Sequence, residues 1–168
     1  MKCIQFLSVI FVVFLTTVGH AWSGDFIKAR QLYIDRDYEE AFKEFVTLAQ
    51  EGDHRGQMFV GRMLMKGLGV NQDINGAVKW FQQSAFQGNG YSLDQMGIAH
   101  ITGRGAQRDI VTANMYFKLA NLRGFAVQNR LKAEANMTQV QILRSHDLMQ
   151  AFIKKHDFSI PTLKRKKN

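Results

Sequence analysis

The chain has a single cysteine, Cys3, and it lies ahead of the apolar run 6–18 rather than behind it. A lipoprotein carries its lipidated cysteine after the apolar run, so the position of Cys3 argues against that class. One cysteine also excludes a disulfide framework and any multi-cysteine zinc site. The histidines beyond the N-terminal segment, His54, His100, His146 and His156, show no metal-ligand spacing with one another, with cysteine or with glutamate. The H-E-x-x-H pattern is absent. No serine or cysteine sits in a nucleophile motif. The glycine pairs Gly67/Gly69 and Gly103/Gly105 continue to Gln72 and Arg108, so neither completes G-x-G-x-x-G, and no strand pattern precedes them. No second apolar run is long enough to span a bilayer. There is thus no metal, no cofactor and no catalytic residue to nominate, and the chain reads as a non-enzyme.

The N-terminus has the plan of a secretory leader. Lys2 supplies a basic start, Phe6 to Val18 is apolar and uncharged, and Gly19-His20-Ala21 ends in small residues. Cleavage after Ala21 would give a cysteine-free exported chain starting at Trp22, at home in a bacterial periplasm or secreted. A retained N-terminal membrane anchor is the alternative, although the run falls short of the roughly 20 residues of a span. The net charge is +8, but Lys2 and the tail residues Lys164, Arg165, Lys166 and Lys167 carry five of those charges, which leaves +3 on the body. The region 159–168 reads as a basic, disordered tail. It can touch an anionic surface weakly, yet it lacks the interleaved aromatics of nucleic-acid binders.

What the chain does have is an internal echo. Ala41, Ala77 and Ala113 are each 36 residues apart, and Phe45, Phe81 and Phe117 keep the same spacing, as do Gly52, Gly88 and Gly124. Gly61 and Gly97, Gly67 and Gly103, Gly69 and Gly105, and Asp73 and Asp109 are pairs at that distance, with no gap. A fixed period of this length marks stacked repeats. Ile74, Ala77, Val78, Phe81 and Ala85 recur at helical spacing, with Asp73 where an N-cap belongs and Gly88 where a left-handed C-terminal residue belongs. A second helix precedes it, with Val60 and Leu64 on its core face. Glycine inside a helix costs about 1 kcal/mol against alanine. Its recurrence at Gly61 and Gly97 predicts a close helix crossing. The glycine pairs 67/69 and 103/105 supply the turns between helices. Met58, Met63, Met65, Met96, Met115, Met137 and Met149 read as core filling. Asn136-Met137-Thr138 matches a glycosylation sequon, but Thr138 reads better as the N-cap of a last helix.

The pattern G-x-x-x-x-x-G-x-G-V-x-x-D-x-x-x-A-x-x-W-F-x-x-x-A-x-x-G, from Gly61 to Gly88, resembles the Sel-one-like repeat, a relative of tetratricopeptide repeats. The resemblance covers roughly 26–155, and the repeat domain is placed at 22–158. It implies an all-α fold, an α/α solenoid in which about four antiparallel helix pairs form a right-handed superhelix. It implies a protein partner and brings no catalytic residues. Some family members regulate envelope signalling or support motor and secretion assemblies, and some cysteine-rich relatives act on β-lactams; this chain lacks the paired cysteines of the latter. Two departures stand out. His100 replaces the usual aromatic, and the first unit has a short Arg36-Asp37 link in place of the glycine turn.

A partner surface follows from helical phase. Arg55, Phe59, Arg62 and Lys66 share a face away from Val60 and Leu64. Their counterparts one unit on are Tyr91, Gln95, Ile98 and Thr102. In such solenoids the first helices of the units line the concave side, so Arg55, Phe59, Arg62, Lys66, Tyr91, Gln95 and Ile98 form the candidate partner-binding face. Exposed aromatics among arginines suit an interface. The opposing reading is that Phe59 and Ile98 pack on the neighbouring unit. Attachment to an anionic surface through the basic tail is a rival function. Deletion of residues 163–168 should then release the protein from membrane or cell wall in a sedimentation assay, and attachment that persists would rule this out.

Overall fold

The computed structural model describes residues 18–158, with side chains from residue 26 onward. The basic tail 159–168 and most of the expected leader, residues 1–17, lie outside the described residues. The described residues form helices and no strand: α1 (Val18–Asp35), α2 (Tyr38–Gln50), α3 (His54–Lys66), α4 (Ile74–Phe86), α5 (Gly90–Thr102), α6 (Ile110–Leu122), α7 (Val127–Glu134) and α8 (Gln139–Lys155). The expected cleavage point at Ala21 therefore falls on the first turns of α1. Each helix from α1 to α6 packs on its neighbour in sequence, and α6 also carries both α7 and α8. This is an all-α solenoid. α1/α2, α3/α4 and α5/α6 are regular pairs, whereas in the fourth pair α7 is short and α8 docks on α6.

The repeated residues are the scaffold. Ala41, Phe45, Ala77, Phe81, Ala113 and Phe117 are all buried. Asp73 accepts from Gly76 N–H and Asp109 from Val111 N–H, which caps α4 and α6. Thr138 and Gln141 form a reciprocal capping box at the start of α8. The glycines at 52, 67, 69, 88, 103, 105 and 124 all take positive φ. In the first unit that job falls to Arg36, at φ 69°.

Two glycine sets do more than turn the chain. A Cβ placed on Gly61 would lie 2.8 Å from the Phe81 ring, and one on Gly97 would lie 2.3 Å from the Phe117 ring. These are the close crossings that join the two helices of a unit. A Cβ on Gly69 would meet the Tyr38 backbone at 2.3 Å, and one on Gly105 would meet Val78 at 2.7 Å and the Ile74 carbonyl at 3.2 Å. Tyr38 and Ile74 occupy the same repeat position. The second turn glycine is therefore the point where one unit seats on the start of the preceding unit's second helix.

Polar bonds add register between units. Ser92 Oγ donates to Ser84 Oγ at 2.9 Å, and Ser84 Oγ donates to the His54 carbonyl at 2.7 Å, which ties α5, α4 and α3 together. At the end of the array, Asn114 Nδ2 donates to Ser145 Oγ at 2.9 Å, and Lys118 Nζ reaches Ser145 Oγ at 3.0 Å and the Ile142 carbonyl at 3.2 Å. The equivalents of Asn114 and Lys118 one unit earlier are Val78 and Gln82. That change gives the closing helix α8 a polar seam on α6 in place of another repeat.

Gly97→Ala should destabilise the fold by about 2 kcal/mol, because overpacking against the buried Phe117 ring outweighs the roughly 1 kcal/mol gained in helix propensity. Gly61→Ala should cost less, since Phe81 stands further off. Denaturant unfolding of the two variants measures the order.

A candidate protein-binding face

The candidate residues divide once the side chains are in place. Arg55 sits in the first turn of α3. Its backbone N–H and its guanidinium both bond the N-cap carboxylate of Asp53, at 2.7 Å and 2.6 Å. Its guanidinium also lies over the Phe26 ring of α1, 4.2 Å from the centroid. Burial by itself would raise the Asp53 carboxyl, but the Arg55 bonds hold it below the ordinary range. Two turns on, Arg62 lies 5.5 Å from the Tyr33 ring of α1 and 5.9 Å from the Tyr91 ring of α5. Its Nε is buried with no hydrogen-bond partner within the fold. Tyr91 is half-buried, edge-on to Phe81, and burial pushes its phenol up. Tyr33, Arg62 and Tyr91 thus come from the first helices of three successive units and make one contiguous strip.

The other candidates sit differently. Phe59 is not an exposed anchor. It is 9 % exposed and stacks face to face on Phe45 at 4.3 Å, with Tyr33 edge-on at 5.3 Å. The reason is the width of the buried surface: α3 packs on both α2 and α4, so its core side covers Gly56, Gln57, Phe59, Val60, Gly61 and Met63. Lys66 is exposed at the end of α3. Gln95 is half-buried beside Met65 and Thr102. Ile98 is half-buried against Ala113, Phe117 and Ala133. The strip therefore keeps Arg55, Arg62 and Tyr91, with Lys66, Gln95 and Ile98 toward the α3 and α5 C-termini.

Sequence reasoning missed Phe26 and Tyr33. The 36-residue register would end the first helix at residue 30, as α3 ends at Lys66, but α1 runs on to Asp35. Neighbours across the α1–α3 contact are therefore not 36 apart. It also missed Asp94, which accepts from Asn129 Nδ2 of α7 at 2.7 Å and is raised by burial against that bond. His100, the departure from the family pattern, donates from Nδ1 to the Gln107 carbonyl at 2.8 Å and stacks on Tyr116, which is a structural role. Phe125 covers Gly90 at the start of α5, and Phe86 stacks on His156 at 4.4 Å, so both pack between units.

Among the described residues, no group of histidine, cysteine, aspartate and glutamate could hold a metal ion, and no helix is long and apolar enough to cross a membrane. What the strip offers is chemistry of recognition: a guanidinium fork flanked by aromatic faces, pre-positioned by packing.

The family model for the Sel1 repeat matches residues 24–43, 54–89 and 91–125. These stretches make up more than half of the chain, and the chain belongs to the Sel1 repeat family. Among solved structures it is similar to a protective antigen present in uropathogenic Escherichia coli strains, described as displaying an SLR fold. The TM-score is 0.75 at 25% identity, over 82% of this chain and 31% of that one. It is also similar to a Sel1 repeat protein from Oxalobacter formigenes, with a TM-score of 0.55 at 27% identity, over 66% of this chain and 44% of that one. The chain spans less than half the length of either. No curated protein matches the sequence. Sel1 repeats generally mediate protein–protein interaction, and the fold is typically a non-enzymatic scaffold.

Asp94 gives a pH-dependent prediction. Its folded carboxyl titrates above its unfolded value, so the fold favours the protonated form and stability is lost as pH rises through that range. Asp94→Asn keeps an acceptor for Asn129 and removes the charge. It should raise the melting temperature at pH 7, and the gain should close as pH falls below the ordinary carboxylate range. Calorimetry at both pH values checks the sign.

Proposed function

We propose that this chain is a non-enzymatic protein-binding module that acts in the bacterial envelope and holds its partner along the face made by α1, α3 and α5. The observation that carries the reading is the half-buried Arg62 guanidinium, which lies between Tyr33 and Tyr91 and has no ion-pair partner among the described residues. An arginine flanked by aromatic rings pays little entropy to become fixed, and it presents directional donors to a partner carboxylate or carbonyl. Arginine and tyrosine are the residue types that dominate binding hot spots. The 5.5 Å and 5.9 Å placements also span three units, so the contact surface is continuous along the stack.

The envelope setting is supported by the leader-like run Phe6 to Val18 and the small residues Gly19-His20-Ala21. Intact mass of the protein recovered from the host envelope should correspond to a chain starting at Trp22. A mass that includes residue 1 would favour a retained anchor.

Arg62→Ala should reduce capture of the cross-linked partner by about tenfold or more, the loss expected for removal of a hot spot. Lys79→Ala on α4 should leave capture unchanged. Helical circular dichroism should match wild type in both variants. Equal capture by Arg62→Ala and wild type would place the partner on another surface.

A further inference from the structure

The 36-residue register runs into the fourth unit and leaves a gap there. In α5, Leu93 and Met96 are 0% and 2% exposed and close the groove against Phe81 and Ala77 of α4. Their equivalents 36 residues on are Asn129 and Lys132. The equivalent of His100 is Asn136, which lies beyond the end of α7 at Glu134. Polar side chains thus stand where apolar ones filled the previous groove, and the helix that should cover it stops one turn early. What remains is a cleft of about 550 Å³ between α5, α6 and α7. Half-buried Ile98, Ile101 and Ile110 line it together with buried Phe117, and exposed Arg108 and Lys132 complete its wall. No carboxylate lines it. Glu134 of the same short helix is engaged by Arg130 at 2.9 Å and Lys118 at 3.8 Å, and Asp94 is engaged by Asn129. Among the described residues neither Arg108 nor Lys132 has an ion-pair partner.

We propose that this cleft receives a segment of a partner protein that places aliphatic side chains on Ile98, Ile101 and Ile110 and meets Arg108 and Lys132 with a carboxylate. The volume falls in the range of built binding clefts, and an apolar lining with a few convergent polar groups is their usual composition. The two uncompensated cations decide the sign of the occupant: a basic segment would be repelled, and a purely apolar one would leave the charges beside it unpaired. This inference rests on the reading of the chain as a protein-binding module and names the chemistry of the segment it takes.

The test uses a displayed library of random twelve-residue peptides, selected on the protein from residue 22 to 168. Counter-selection uses the double variant Arg108→Gln, Lys132→Met, which installs the residues of the preceding unit, Gln72 and Met96, and leaves the Asn129–Asp94 bond in place. Enriched peptides should combine aspartate or glutamate with leucine, isoleucine or valine. They should shift the methyl resonances of Ile98, Ile101 and Ile110 and bind the double variant at least about tenfold more weakly. The charge-preserving variant Arg108→Lys, Lys132→Arg should bind within about threefold of wild type. The melting temperature of the double variant should not fall, so loss of binding is not loss of fold. Failure to enrich acidic aliphatic peptides, shifts confined to other residues, or undiminished binding by the double variant would overturn the proposal. So would displacement of no peptide alongside saturable binding of dodecanoate at the same methyls. If the peptides fail while Arg62→Ala still lowers partner capture, the cleft is wrong and the binding face stands. If the peptides bind as described while Arg62→Ala captures normally, the cleft stands without that face.

Discussion

Gly97 lets the Phe117 ring lie against the backbone of α5, and Gly61 does the same for Phe81 on α3. Everything else in the stack depends on this contact. It sets the distance between the two helices of a unit, and so fixes where the turn glycines fall and how far the next unit is displaced. A side chain at either glycine would push the ring out and open the pair. The cost of glycine in a helix interior, about 1 kcal/mol, is offset by burial of a phenylalanine, which contributes roughly 1.5–3 kcal/mol. The second contact, Gly69 on Tyr38 and Gly105 on Ile74, then passes the same spacing from unit to unit.

With the scaffold held constant, the copies differ where they meet something other than the next copy. Val78 and Gln82 become Asn114 and Lys118, and these bond the closing helix α8. Leu93 and Met96 become Asn129 and Lys132, and a cleft opens. Phe59 and Gln95 are equivalent in register but not in role, because the first unit supplies Phe26 and Tyr33 to bury Phe59. Divergence between copies is therefore of two kinds. Some of it closes the array at its ends, and some of it shapes the surface a partner would touch.

The scaffold was legible in the sequence because each of its residues answers one local demand that recurs at a fixed spacing. Asp73, Asp109 and Thr138 cap, the glycines turn, and Ala77 and Phe81 pack. The face was legible in part. Arg55, Arg62 and Tyr91 share a strip as helical phase required. Phe59 was misplaced because a helix inside a stack is covered from two sides, and a single hydrophobic stripe does not describe its buried surface. Phe26 and Tyr33 were not legible because α1 outruns the register. The Asp94–Asn129 bond, between helices of different units, has no sequence pattern to announce it.

The central claim is that the face made by α1, α3 and α5, and not the exposed side of α4, forms the contact surface. A photo-reactive amino acid at Lys66, exposed on α3, and another at Lys79, exposed on α4, test it directly in the host envelope. The account predicts a discrete protein adduct from position 66 and none from position 79. An adduct from position 79 alone, or equal adducts from both, would contradict it.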